Sequence, residues 1–337
     1  MNLFSEFPQG EGPKTEGALP DPRLQPTPDY VALGPCSDGA NFGQTANQEK
    51  GRNIPPRVVQ LLAAGIGMFA AIVAGTMSSS HRGVARLLDS GKSNQTTPAT
   101  SGQVDGMRAQ RQAESLLEEA VGHSPGAVEE ISSRVDQWKG QVQWTPQIAN
   151  LTTAALNSND MQVRESGVEV ELAAYGLSKN SQSLEYLLKT VESPDHAQKI
   201  WALWALGLMA NRGVQTDRIV EVLRSHLQDS DVDSRRWAVE GLALSGSDVA
   251  IDTLLKTIHG DAAAEVRERA ACGIASSGMF TAEQRMRTVP QLLNYADDAS
   301  LDAQTHAWVF HALSDITQQK FGNDAAAWRG WYESTRN

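Results

Sequence analysis

The feature that most restricts this chain is a recurrence, with a period near 35 residues, that runs from residue 148 towards the carboxyl terminus. Aligned on a basic or amide residue it reads Arg164, Lys199, Arg235, Arg267 and Gln304, at spacings of 35, 36, 32 and 37. Three positions later each unit has a small residue: Gly167, Ala202, Ala238, Ala270 and Ala307. At the sixth position Ala205, Gly241 and Gly273 are small again, followed by Leu206, Leu242 and Ile274. Four positions before the mark stand Asp160, Asp195 and Asp231, with Ala263 and Ser300 in the last two units. A repeat of this length is one supersecondary unit that cannot bury its apolar face alone, so the copies must stack.

Each mark has a physical reason. An Asp at a helix start accepts backbone N–H bonds and suits the positive end of the helix dipole. Small residues let a neighbouring helix approach. Ahead of each marked helix lies a second stretch with i, i+3, i+4 spacing, such as Ile219, Val222, Leu223 and Leu227, or Ile251, Leu254, Leu255 and Ile258, which is one apolar helix face. The pattern predicts an all-α chain whose residues 148–320 form an α-solenoid of about five helical hairpins.

The runs Asp231-Val-Asp-Ser-Arg235-Arg-Trp-Ala238-Val-Glu-Gly241-Leu and Glu265-Val-Arg267-Glu-Arg-Ala270-Ala-Cys-Gly273-Ile resemble the HEAT repeat family in its compact bacterial form. The first unit departs from the pattern at Val170, and the fifth at Gln304 and Phe310. The ending Phe321-Gly322-Asn323-Asp324, with Trp328 and Trp331, is similar to a closing segment after the last repeat in such proteins, so residues 321–337 are expected to cap the open end. Residues 107–147, with Leu116, Leu117, Val128, Ile131, Val135 and Trp138, read as helices that cap the other. The resemblance implies a structural ladder in which Arg164, Lys199, Arg235 and Arg267 pair with Asp of adjacent units, for which Asp160, Asp195 and Asp231 are the candidates. It also implies a concave surface that binds proteins. Trp201 and Trp237 sit two residues after the mark, Arg269 and His306 take the same place in later units, and Trp204 lies nearby. These five are the candidate protein-binding face, although the rings also fit a role as fillers between repeats.

The chain before the repeats is of another kind. Residues 1–57 hold nine of the fourteen prolines and few aliphatic side chains, too little apolar area to offset chain entropy, so a disordered tail is expected. Residues 58–77, VVQLLAAGIGMFAAIVAGTM, carry no charge. At about 1.5 Å per residue the run spans a hydrocarbon core, and a single-pass transmembrane helix is expected. Ala63, Gly67, Ala71 and Gly75 recur at intervals of four along it, a small-residue face suited to self-association in lipid and also one that so many Ala and Gly produce by chance. Three basic residues lie on each side of the span; the tighter cluster before it, Lys50, Arg52 and Arg57, favours a cytoplasmic tail and an exported, periplasmic body. The polar residues 78–106 read as a flexible tether.

Charge and chemistry narrow the function. The chain has 29 Lys and Arg against 40 Asp and Glu, a net charge of −11, which speaks against a nucleic-acid partner and for a basic protein partner. Its two cysteines, Cys36 and Cys272, exclude a disulfide-dense scaffold. No two of the seven histidines have H-x-x-x-H or H-E-x-x-H spacing, and no nucleophile elbow or phosphate loop is found. The expectation is a membrane-anchored scaffold or adaptor for a protein partner, with no catalytic residue, metal or cofactor. The second reading, which the resemblance leaves open, is a HEAT-like lyase or lyase-related factor with a small molecule in its groove.

Overall fold

The computed structural model describes residues 101–335, with side chains from Asp105. The tail expected over 1–57, the span at 58–77 with Ala63, Gly67, Ala71 and Gly75, and the tether up to residue 100 lie outside the described residues. Among the described residues no helix is long and apolar enough to cross a membrane, and all regular structure is helical.

An N-terminal pair, α1 (Ser101–Val121) and α2 (Ala127–Trp138), leads into hairpins α3 (Pro146–Leu156) with α4 (Met161–Ala174), α5 (Ser181–Thr190) with α6 (His196–Asn211), and α7 (Thr216–His226) with α8 (Val232–Ser245). A fourth hairpin joins α9 (Asp248–Gly260) to α10 (Ala264–Cys272), which ends in a π turn at Gly273–Ser277. The short α11 (Ala282–Met286) precedes the fifth hairpin, α12 (Val289–Ala296) with α13 (Ala303–Thr317), and α14 (Ala325–Thr335) closes the body. One boundary moves: Ser101–Gly106, expected in the tether, already belong to α1. The buried stripe Ala109, Ala113, Leu117 and Ala120 docks α1, and extending an existing helix adds one hydrogen bond per residue without a new nucleus.

The Asp residues expected at helix starts are there as caps. Asp160 accepts from the Gln162 backbone N–H at 2.9 Å, Asp195 from Gln198 at 3.1 Å and Asp231 from Ser234 at 2.8 Å. The fifth unit shifts by two residues. Ser300 holds the place that the period gives to the cap, but Asp298 binds the Ser300 N–H and hydroxyl in a turn of its own, and Asp302 caps α13 through Thr305.

Outer and inner helices bury themselves differently. The outer α5, α7 and α9 bury one stripe, Leu184 and Leu187, then Ile219 and Leu223, then Leu254 and Ile258. The inner helices are buried without a break over Ser166–Ala173, Ile200–Ala210 and Trp237–Ser245; the α6 run is apolar all round rather than striped, while α4 and α8 bury Glu169, Glu171 and Glu240 within theirs. The tightest approach joins α6 to α8. A Cβ added at Gly207 would come within 2.5 Å of the Gly241 carbonyl oxygen, and one added at Gly241 within 2.5 Å of the Leu203 oxygen. Two apolar clusters result: α4 turns Val163, Val170 and Ala173 to the N-terminal one and Val168 and Leu172 to the main one. Trp328 of α14, fully buried, closes the far end.

Candidate interaction surface

The marked basic residues run along the loop edge, and three of them form rungs to the next unit. Lys199 Nζ lies 3.2 Å from Asp229 Oδ2. Arg235 binds Asp261 in a two-pronged manner, Nε to Oδ2 at 2.9 Å and Nη2 to Oδ1 at 3.1 Å, while its Nη1 donates to the Asp229 carbonyl at 3.0 Å. Arg267 Nη2 reaches Asp302 at 2.8 Å, its Nε donates to Thr305 Oγ1 at 2.9 Å and its Nη1 to the Asp261 carbonyl at 2.8 Å. Each Arg thus braces its own loop through carbonyls and the next loop through a carboxylate, a geometry that a planar guanidinium supplies and an ammonium does not. The Asp261 hydrogen bonds raise the Arg235 pKa. Asp229 is held below its usual range, first by the Asp231 N–H and then by Lys199.

The carboxylates differ from those expected. Asp160, Asp195 and Asp231 cap their helices, and the rungs use Asp229, Asp261 and Asp302. A signal for the first two is present in the sequence. Six positions before each mark stand Ser158, Ser193, Asp229, Asp261 and Asp298. Each accepts the backbone N–H two residues on, at 2.8 to 3.2 Å, the turn chemistry that Ser and Asp favour. Only an Asp there has a second oxygen for a rung. Arg164 faces Ser193 in this scheme and makes no rung; it crosses to the Ser276 and Ser277 carbonyls at 3.3 and 2.9 Å.

Between the third and fourth units the loop edge opens into a cleft of about 680 Å³. Its floor is the ladder, Asp229, Arg235 and Asp261, and its rim carries Glu221 and Arg224 of α7 and Lys256 of α9. Arg224 pairs with Glu221 at 3.3 Å on an exposed surface, which holds it weakly. Lys256 is exposed. Arrayed charges over a locked floor suit recognition of a charged chain by pairing.

The five residues expected to form a binding face do not form an exposed one. Trp201, Trp204 and Trp237 are 5%, 2% and 4% exposed. Tyr175 packs edge-on against Trp201 and Trp204 with centroids 5.9 and 5.4 Å apart, and Trp144 stacks on Tyr175 at 5.1 Å. The rings fill the seam between the first two hairpins, where large aromatic area is most stabilising when fully desolvated. Trp237 lies under the Arg236 guanidinium, 5.2 Å away, and Arg269 is ion-paired with Glu240. His306 is half-buried and stacks on Phe310 at 6.5 Å. With Asp302 as the cap, Trp308 rather than His306 takes the tryptophan place of the fifth unit.

Residues 184–275 match the family described as HEAT repeats. No curated protein matches the chain. Among solved structures, the crystal structure of an engineered protein is similar at 20% identity, covering 66% of this chain and 93% of its own, with a TM-score of 0.30.

Proposed function

We propose that this chain is a HEAT-repeat scaffold that holds a protein partner at the loop edge of its solenoid and is attached to a bilayer through residues 58–77. The observation that carries this reading is the cleft between the third and fourth units, where a fixed ladder underlies the exposed Arg224, Glu221 and Lys256. HEAT repeats serve mainly as protein-interaction surfaces, and solenoids of stacked units suit that work. The inner face supports it less well, since Trp201, Trp204 and Trp237 are committed to the core. Those buried rings do not line an open groove, which supports the protein-binding reading over a lyase-type one.

The test places a photo-crosslinking residue at position 256 or, as a control away from the cleft, at the exposed position 119 of α1 in the full-length chain, in cells. A discrete adduct at 256 that Arg224→Glu weakens and that position 119 does not give is the expected result. Identical adducts at both positions would remove the cleft from the argument. Protease treatment of intact and opened vesicles, read through a C-terminal tag, tests the tether. A tag found entirely in the soluble fraction would dispose of it.

A further inference from the structure

A buried guanidinium and a half-buried one meet where α10 ends, and among the described residues neither forms an ion pair with a carboxylate. Arg164, 5% exposed, comes from the first hairpin and donates to the Ser276 and Ser277 carbonyls. Arg285 of α11 donates to Ala275 at 3.0 Å and to Ser276 and Gly278, both at 3.1 Å. Both cations therefore share one acceptor, the Ser276 oxygen, and lie side by side. Burial and the neighbouring Arg285 lower the Arg164 pKa to about 10, so its charge persists at neutral pH.

Every other basic mark on the ladder touches a carboxylate: Lys199 has Asp229, Arg235 has Asp261 and Arg267 has Asp302. Among the described residues Arg164 and Arg285 donate to carbonyls alone. Asp315 acts on Arg285 through space, opposing the lowering of its pKa by burial, without forming an ion pair with it. The Nε–H of Arg164 and that of Arg285 are both buried and without an acceptor. Carbonyl dipoles at a helix end favour a cation only modestly, whereas a buried charge without a counter-ion is among the costliest arrangements in a fold. Arg164 is such a charge, set beside a second cation, and both groups keep an Nε–H to spare.

We infer that the Arg164–Arg285 pair at the π turn is a binding site for an oxyanion, a phosphate or carboxylate group that both guanidinium planes grip. Ser276 is exposed and the Arg285–Ser276 bond lies in the open, which gives the anion its approach. Ser277 Oγ accepts from Arg269 Nη2 at 3.0 Å, so its own O–H remains a donor towards the same turn. Planar N–H forks match the geometry of both oxyanion types.

The full-length chain is titrated with sodium phosphate, sodium acetate or sodium chloride at matched ionic strength, with the thermal midpoint and the heat of binding recorded. A saturable rise in midpoint with phosphate or acetate and none with chloride is expected. Response to phosphate alone assigns a phosphate group; response to acetate as well assigns a carboxylate. Arg285→Gln should weaken binding at least about tenfold, and Arg285→Lys should weaken it less, since charge survives without the fork. If Arg164→Gln does not fold, Arg285→Gln on the more open side decides the matter. Oxyanion curves that follow chloride, or a saturable response that survives in Arg285→Gln, would overturn the site.

Discussion

Glu171 shows how one residue sets the pH response of the body. It is 2% exposed, and burial pushes its carboxyl from about 4.5 up to about 8, against a smaller opposing pull from the Thr152 hydroxyl. Its Oε2 has no partner, and the phenol of Tyr175 one turn on, itself unpartnered, is pushed well above its ordinary value by burial and by Glu171. The folded state therefore keeps a proton that the unfolded chain releases above about pH 4.5. The contribution of Glu171 to stability falls as pH rises from there to about 8 and levels off above it. Glu171→Gln should remove that slope, leaving stability near wild type at pH 5 and raising it by about 1–3 kcal/mol at pH 8. Urea denaturation at pH 5, 6.5 and 8 checks this, and parallel pH profiles for the two proteins would refute it. None of this was legible in the sequence, where Glu171 lies in an ordinary helical run. The Asp caps were legible because a cap needs only its own helix. The rungs were not, because a rung depends on which loop the next unit brings alongside. The distinction is measurable: Asp231→Ala should cost about 1 kcal/mol as a lost cap, while Asp261→Ala, which leaves the Arg235 guanidinium half-buried without its carboxylate, should cost about 2–3 kcal/mol.

At the scale of helices, spacing predicted the hairpins and failed at the inner surface. Outer helices face water on one side, so their apolar stripes are visible in the sequence. Residues 200–210 of α6 are apolar around the whole circumference, and a helix with no polar face has no direction that periodicity can reveal. That is why Trp201 and Trp204 could be read as groove anchors as well as fillers between repeats. Small residues at fixed offsets did point to close packing, and Gly241 confirms it, but its partner Gly207 lies eight positions after Lys199 and matches no repeated mark. Gly207→Ala would force a methyl group to 2.5 Å from a carbonyl oxygen of α8. Neither backbone has a flexible side chain to yield, so the two helices must separate, at a cost of about 3 kcal/mol. A thermal melt of Gly207→Ala is expected to show that loss, and Gly213→Ala, where nothing lies within 4 Å but φ is +80°, gives a strain control without the clash. An equal, small effect at both sites would mean that α6 and α8 part readily.

At the scale of the molecule, a solenoid normally holds together by nearest-neighbour contacts, so its ends fray independently. Among the described residues one connection is of another order. Arg164 in the first hairpin is bonded to the π turn that ends the fourth, 112 and 113 residues away. The turn is in its own right an irregularity that the period could not foresee, since the fourth unit adds α11 and Arg285 to brace it. A link between non-adjacent units couples their stabilities, because opening the first hairpin must also break bonds in the fourth. Native-state hydrogen exchange of the full-length chain in chloride buffer should therefore show α4 and α10 opening together at low denaturant, with one common dependence on urea. Arg164→Gln removes the link while leaving the nearest-neighbour contacts in place. In that variant α4 should exchange with the N-terminal pair at lower urea, while α8 and α10 keep their protection. If α4 and α10 stay coincident in the variant and only the shared midpoint drops, coupling runs through the stacked hairpins and Arg164 merely adds to their stability.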